Sequence, residues 1–552
     1  LHLQKTEGEV KQPALLKKAD ASSSQLKGLA DKKILVISKQ SVDRLPLQSK
    51  QVKIEFTLSP VQTIAHEKLV KSLQEKEVCL LHGVTSSGKT QVYIKLIEAQ
   101  VLAGKQVLYL LPEIALTAQI IRRLQQHFGG YIAIYHSRFN PNERVELWNK
   151  VKKGEIRVVL GARSALFLPY SDLSLIIIDE EQDASFKQQD PAPRYNARDA
   201  ALYYARMCSA KVVLGSATPS IETYAQAVSG KYGLVEMFER YGGVELPSIT
   251  VADTRGMVNN KMVRHMITPA LKEAMDKALA DKKQVILFQN RRGYAPYKIC
   301  GTCGFIPHCE HCDVTLTYHK LHHRLQCHYC GTSYPVMLTC TACGGASWVE
   351  KNFGTEKVEE DLIEMFPEHT VARMDIDTVK GKYAHDEMIR SFEKHQMDIL
   401  VGTQMVVKGL DFEHVALVGI LDADGLLSFT DFRVNERGFQ LMEQVSGRAG
   451  RRGQQGAVIV QTSNPGHPII ALVAAHDYKA FYTMEMESRK MFHYPPYTRL
   501  IQLFFKHTDK LKALNAADFF ASRIQPMFGD YLIGPAEPVV NRVRNKYIYE
   551  IL

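Results

Sequence analysis

Short, wholly apolar runs recur along the chain, each ending in a turn of small, polar or charged residues. The first is VCLL (78–81), followed by VLYLL (107–111), VVL (158–160), LIII (175–178) and VVL (212–214). Runs that are apolar on both faces suit strands of a parallel sheet covered by helices on both sides. A second series starts at QVILF (284–288) and resumes at DILVG (398–402) and HVALVGIL (414–421), with the same feed into glycine and polar turns. The pattern predicts an α/β protein with two similar lobes. At 552 residues the chain is too long for one core, and domains of about 100–200 residues each give three to five units.

The turn after the first run carries the clearest chemistry. GVTSSGKT (83–90) follows a strand and should open a helix, which is the setting a phosphate loop requires. Gly83, Val84, Thr85, Ser86, Ser87 and Gly88 let backbone amides curl around phosphates. Lys89 reaches the β and γ oxygens, and the Thr90 hydroxyl suits Mg²⁺. Asp179 and Glu180 stand at the carboxyl end of an apolar strand, where ligand crevices of parallel sheets lie. Asp179 is expected to hold Mg²⁺ and Glu180 to polarise the attacking water. The second lobe has no phosphate loop, but QVSGRAGRRG (444–453) brings Arg448 and Arg451, three apart and expected on one helix face. A guanidinium from that lobe would stabilise transition-state charge only when the lobes close.

Eight of ten cysteines form four CxxC pairs: Cys300/Cys303, Cys309/Cys312, Cys327/Cys330 and Cys340/Cys343. Two such turns complete one tetrahedral thiolate site, so eight ligands imply two zinc ions. Spacing leaves the three pairings open. Disulfides need an oxidising compartment, and an iron–sulfur site is the competing use of the same thiolates. The surrounding His308, His311, His319, His322, His323 and His328 exceed what the ions require, and Tyr318, Lys320, Arg324, Tyr329 and Trp348 suit either base stacking or cover for a small metal-held core. Cys79 and Cys208 read as core residues.

Composition adds less. The 69 Lys+Arg against 59 Asp+Glu give a net charge of +10, a weak pointer to a polyanion. No run nears the roughly 20 apolar residues of a membrane span and no signal peptide leads the chain, so a cytosolic protein is expected. Because the chain opens at Leu1 without Met and stops abruptly at Leu552, missing flanking pieces are expected.

Together GVTSSGKT, LLPEIALTAQ, DEEQD, GSATP, NRRGYAP, GTQMVVKGLDF and QVSGRAGR resemble the superfamily 2 helicases, and with the Cys-rich insertion more closely the bacterial replication-restart helicases, from about Phe56 to the end. The resemblance implies two RecA-like lobes (53–235, and 236–296 with 350–468), a zinc insertion (297–349) and a C-terminal α+β domain (469–552). It also implies an N-terminal winged helix over 1–52, where two helices and a strand at KILVIS (33–38) are expected. It further implies an ATP- and Mg²⁺-dependent 3′ to 5′ DNA helicase acting on forked and single-stranded DNA. Its expected partners are single-stranded DNA-binding protein, primosome proteins and the replicative helicase loader. A monomer in the bacterial cytoplasm, at the nucleoid, is expected.

By the same resemblance Gln62 contacts adenine, Gly409 and Asp411 join the ATP site, Gln444 assists at the γ-phosphate, and the cysteine pairs nest, inner with inner and outer with outer. The 183–199 loop, with Phe186, Lys187, Arg194, Tyr195 and Arg198, resembles the aromatic-rich loop that couples DNA to hydrolysis. Arg542 and Arg544, with Lys546, alternate as on one strand face that could track phosphates. One departure is Gln182, where the family usually has His. Two other readings share these motifs: a translocase with little unwinding, and a DNA-structure-binding primosome scaffold whose ATPase is secondary.

Overall fold

The computed structural model describes residues 12–37, 52–53, 56–113, 118–135, 140–255, 266–290, 297–319, 323–351, 355–375, 378, 384–406, 412–428, 431–450 and 455–552. Seven strands form the first lobe: β1 (Val78–Gly83), β2 (Gln106–Leu110), β3 (Ile132–Tyr135), β4 (Val158–Gly161), β5 (Leu173–Asp179), β6 (Lys211–Ser216) and β7 (Gly233–Met237). They lie in the order β3-β4-β2-β5-β6-β1-β7, every pair parallel. Strand order puts β5 beside β6 and β6 beside β1, so the carboxyl ends of those three strands deliver Asp179, Ser216 and Gly83 to one edge.

The second lobe is built from β8 (Ser248–Asp253), β9 (Gln284–Phe288), β15 (Val371–Met374), β16 (Ile399–Gly402), β17 (Val415–Ile420) and β18 (Ala457–Thr462), ordered β15-β16-β9-β17-β18-β8 and again parallel. The fully buried strands explain the absence of alternation in the sequence: β2, β9 and β16 are buried at every position. One apolar core runs through both lobes, from Leu80 and Ile176 to Val418 and Phe481, and separate clusters fill the far side of each sheet.

Between β9 and β15 the chain makes an excursion. β10 (Tyr297–Cys300) and β14 (Trp348–Lys351) pair antiparallel as its stem and enclose a three-stranded sheet of β11 (Thr317–His319), β12 (Arg324–Gln326) and β13 (Ser333–Pro335). The C-terminal unit pairs β19 (Leu503–His507) and β20 (Arg542–Val543) on either side of β21 (Lys546–Ile551), with helix Lys510–Phe528 packed across them. Among the described residues no helix is long and apolar enough to cross a membrane.

The N-terminal expectation is met only in its helices, Gln12–Ala19 and Ser23–Asp31, the second capped by a Ser22/Gln25 box. Residues 33–37 are not a strand, and Ile34 and Val36 are 65% and 93% exposed. The apolar run Ile34 to Ile37 finds no partner strand among the described residues, and 38–51 lie outside them.

Candidate active site and metal centres

The phosphate loop turns at Ser86 and Gly88, whose φ values are +64° and +87°, before helix Lys89–Leu102 begins. Any Cβ at Gly88 would collide with the Gln62 amide, so both conformation and space require glycine. Gln62 is buried: its Oε1 accepts from Ser59 N–H at 3.0 Å and its Nε2 donates to Ser87 O at 3.3 Å. It props the loop from below rather than lying open to a base. Lys89 Nζ donates to Gly83 O at 2.6 Å and Val84 O at 3.3 Å, and burial lowers its pKa against the raising influence of Asp179 and Glu180. The Ser86 and Ser87 hydroxyls are buried without hydrogen-bond partners. A cation, the first-turn Thr90 and two unpartnered hydroxyls along a loop of amides fit a nucleotide's phosphates and Mg²⁺.

Asp179 closes β5. Tyr93 Oη donates to its Oδ1 at 3.1 Å and Tyr109 Oη to its Oδ2 at 3.3 Å, and burial pushes its pKa up to about 6, helped by Glu180 and opposed by Lys89. Glu180 takes a φ of +52°, strained for a side-chain-bearing residue, and this turns its carboxylate toward the second lobe. There Gln444 Nε2 donates to Glu180 Oε2 at 2.9 Å, and Gln182 Nε2 donates to the same oxygen at 2.7 Å. Ser216 Oγ donates to Gln182 Oε1 at 2.7 Å, and Thr218 N–H donates to Ser216 Oγ at 2.9 Å. A continuous relay therefore runs from the second lobe through Glu180 and Gln182 into the loop after β6.

Gln444 belongs to a stripe that sequence reading missed. On helix Val434–Ser446, Glu436, Gln440 and Gln444 follow at four-residue spacing on one face. Glu436 Oε1 accepts from Ile221 N–H at 2.9 Å, Gln440 Nε2 donates to Thr218 O and Pro219 O at 3.2 Å each, and Gln444 meets Glu180. The sequence signal was weak, since Asn435, Arg437 and Glu443 lie on the same helix and only burial singles out the face of Glu436, Gln440 and Gln444. The helix ends at Ser446, so Arg448 lies beyond it and not on the helix face expected. Arg448 sits past the cap, half-buried, its pKa lowered by desolvation against the raising influence of Glu180, while any Cβ on Gly447 would strike Thr85 of the phosphate loop. Arg451, Gly409 and Asp411 lie outside the described residues.

The eight cysteines form two groups, Cys300/Cys303/Cys340/Cys343 and Cys309/Cys312/Cys327/Cys330, each with all sulfurs within 4.8 Å of one another. The nested pairing holds. Three sulfur pairs lie at 3.6, 3.7 and 3.6 Å. Tetrahedral zinc with bonds of about 2.3 Å sets thiolates about 3.8 Å apart, so each group fits one ion. A multi-iron cluster, with its thiolates on different irons, needs wider spacing. Knuckles at Cys300, Cys327 and Cys340 close with Gly304, Gly331 and Gly344 donating back to the first cysteine's carbonyl at 2.8–2.9 Å. The knuckle at Cys309 has Asp313 in that place, and a neighbour completes it: Asp313 N–H donates to Arg542 O at 3.0 Å and Arg544 N–H to Cys312 Sγ at 3.3 Å.

That contact corrects the reading of the C-terminal arginines. Arg544 and Asn545 are both at positive φ in a two-residue hairpin turn, so Arg542, Arg544 and Lys546 do not alternate along one strand. Arg542 pairs with Asp313 at 2.9 Å and joins the C-terminal unit to the zinc insertion, leaving Arg544 exposed at the turn. In the 183–199 loop Phe186 is core, 1% exposed, and cannot stack on a base without unpacking. Arg198 is held by Glu181 at 2.9 Å and by Ser220 Oγ at 2.8 Å, anchoring the acidic turn to the loop after β6. Lys187 and Arg194 are exposed, and Tyr195 packs edge-on against the exposed Phe167, 5.1 Å between centroids. Phe167 is the aromatic on this surface that sequence reading passed over. In the insertion Tyr318 is core and Tyr329 is 50% exposed.

Two parallel-sheet lobes meeting over one phosphate loop are the architecture of a nucleotide-driven motor of the helicase class. The chain matches the DEAD/DEAH box helicase model over residues 59–227 and the helicase conserved C-terminal domain over 351–453. Residues 309–335 match the PriA DNA helicase Cys-rich region (CRR) domain. Similar proteins include the replication restart protein PriA of Bacillus subtilis (strain 168), 41% identical over 559 residues covering 100% of this chain and 69% of that protein. The PriA protein of Synechocystis sp. is 37% identical over 99% of this chain and 67% of its own length, and that of Rickettsia felis 37% over 92% and 78%. The chain belongs to the PriA family of replication restart proteins. It is an enzyme that uses ATP and Mg²⁺, binds DNA and carries two zinc ions.

Proposed function

We propose that this chain moves 3′ to 5′ on single-stranded DNA, recognises stalled or repaired forks, unwinds the lagging arm and initiates primosome assembly. The observation that carries the motor reading is the relay from Gln444 through Glu180 and Gln182 to Ser216, because it joins hydrolysis chemistry to the loop leading away from the site. Lys89 and the loop from Gly83 to Gly88 hold the phosphates, and Thr90 and Asp179 would hold Mg²⁺, which would supply charge neutralisation there. Glu180 orients the attacking water, with Gln444 and Arg448 completing the site from the other lobe. Gly409, Asp411 and Arg451 join them by resemblance. Gln62 acts through the loop it supports. Lys187, Arg194 and Tyr195, with Phe167, form the strand-facing surface of the 183–199 loop. Single-stranded DNA-binding protein, primosome proteins and the helicase loader are the partners, in the cytoplasm at the nucleoid, with a monomer as the working unit.

The test is Gln444→Ala. ATP turnover on single-stranded DNA should fall about 10–100-fold with the KM for ATP changed by less than about threefold, since the phosphate loop is intact. Unchanged turnover would remove Gln444 from the site. A second expectation concerns pH. Asp179 is ionised above about pH 6 and protonated below it, so the Mg²⁺ needed for half-maximal hydrolysis should rise as pH falls through 6. Magnesium titrations at pH 5.5 and 7.5 that coincide would contradict the assignment.

A further inference from the structure

Outside the motif residues, one guanidinium is completely enclosed where the two lobes meet. Arg489, 1% exposed, lies near the end of helix Tyr478–Met491, which follows the second lobe. Its Nη2 donates to Glu436 Oε2 at 2.7 Å, its Nε to Glu485 Oε2 at 3.3 Å, and its Nη1 to Glu222 Oε1 at 3.4 Å and Pro495 O at 3.1 Å. The Phe432 ring lies beneath it, 5.4 Å from centroid to guanidinium carbon. Arg433 adds a second cation, 2.6 Å from the same Glu222 oxygen.

These carboxylates come from three helices with different duties. Glu222 is in the first turn of the helix after the GSATP turn of lobe one, Glu436 is the first residue of the polar stripe on the helix carrying Gln444, and Glu485 is on Arg489's own helix. Glu436 uses one oxygen for Arg489 and the other for Ile221 N–H. The planar fork of a guanidinium can fix a carboxylate in orientation as well as position, and a point-charge ammonium cannot. Eight residues separate Glu436 from Gln444, about 12 Å along a rigid helix, so a shift at one end is carried to the other.

We infer that Arg489 is a positioning residue for ATP hydrolysis: by holding Glu436 against lobe one it sets the register of helix Val434–Ser446, and so the reach of Gln444 and Arg448 to Glu180. Arg489's own helix, Tyr478–Met491, is tied to both lobes nearby, which suits this duty. Tyr478 Oη donates to Pro219 O at 2.9 Å, Phe481 stacks on Phe439 with centroids 4.3 Å apart, and Lys479 pairs with Glu236 at 3.2 Å. The inference rests on the reading of Gln444 as part of the site.

The experiment compares Arg489→Lys, Arg489→Met, Glu436→Gln and Gln444→Ala in the full chain, measuring ATP turnover on saturating oligothymidylate, KM for ATP, and thermal melting. Arg489→Lys keeps the buried charge, so it remains informative where Arg489→Met fails to fold. The expected result is a kcat about 10-fold lower or worse with KM for ATP within about threefold, because misplacement of order 1 Å can cost that much while nucleotide binding is untouched. Combining Arg489→Lys with Glu436→Gln should be no worse than the poorer single variant within about twofold, the signature of one shared contact. Turnover of folded Arg489→Lys within twofold of the parent overturns the proposal, as does a KM that rises in proportion to the fall in kcat. If Gln444→Ala leaves turnover unchanged, the reading beneath the proposal fails and takes it along. If Gln444→Ala slows turnover and Arg489→Lys does not, the positioning role alone is wrong.

Discussion

Replacing Lys89 by Ala is expected to lower ATP turnover by at least about 10³-fold, roughly 4 kcal/mol of transition-state stabilisation, and to abolish strand displacement with it. The size follows from the surroundings. Lys89 is half-buried beside Asp179 and Glu180, so the side chain proposed to face the γ-phosphate is also the counter-charge to an acidic pair. Its removal leaves that pair without the influence that lowers the Asp179 pKa, so Asp179 would hold its proton at higher pH still and Mg²⁺ would bind less well. Lys89→Arg should not rescue, because the loop's carbonyls close on the ammonium at 2.6 and 3.3 Å and leave no room for a planar fork. Steady-state hydrolysis with and without single-stranded DNA checks this. Retention of fork processing by Lys89→Ala would point to a scaffold whose ATPase is secondary.

Stripping the metal is expected to have an effect of similar size but of another kind. A strong chelator should release two zinc ions per chain, and each structural site contributes on the order of 10 kcal/mol to the order of its segment at neutral pH. The insertion has little else to hold it, since among the described residues its core cluster has six buried members, three of them metal-binding cysteines. It leaves the second lobe through the β10/β14 stem, and the lobe's own sheet does not include its strands. Hydrolysis on single-stranded DNA should therefore persist within a few-fold while strand displacement is lost. The C-terminal hairpin should also come loose from Cys312 and Asp313, which limited proteolysis would register as new cleavage near 541–546. Release of one ion, or of iron, would contradict the two-site assignment.

Chemistry that depends on residues adjacent in sequence was legible. The phosphate loop, the acidic pair after β5 and the CxxC knuckles are each made within one turn, so spacing alone defines them. Contacts formed across the fold were not. Phe186 and Arg198 sit in a loop whose composition suits DNA, yet tertiary packing placed one in the core and spent the other on Glu181. The alternation of Arg542, Arg544 and Lys546 reads as a strand because a tight hairpin can hide inside a period of two; the Arg544–Asn545 turn breaks it. The apolar run at 34–37 shows a related weakness, since a short apolar run becomes a strand only where a neighbour exists to pair with it. Glu436 and Arg489, 53 residues apart, meet only because the helix after the second lobe folds back over both lobes.

The most direct test is strand displacement on forked DNA with tails of defined polarity, with ATP hydrolysis followed in the same reaction for the parent and Gln182→Ala. The proposed 3′ to 5′ movement predicts that the parent displaces a strand when a 3′ tail is present. The relay through Gln182 predicts a difference between the two proteins: Gln182→Ala goes on hydrolysing ATP while displacing far less DNA per ATP, because Glu180 keeps Gln444 but loses its link to Ser216. Equal displacement per ATP in the two proteins, or displacement that needs a 5′ tail, would contradict the account.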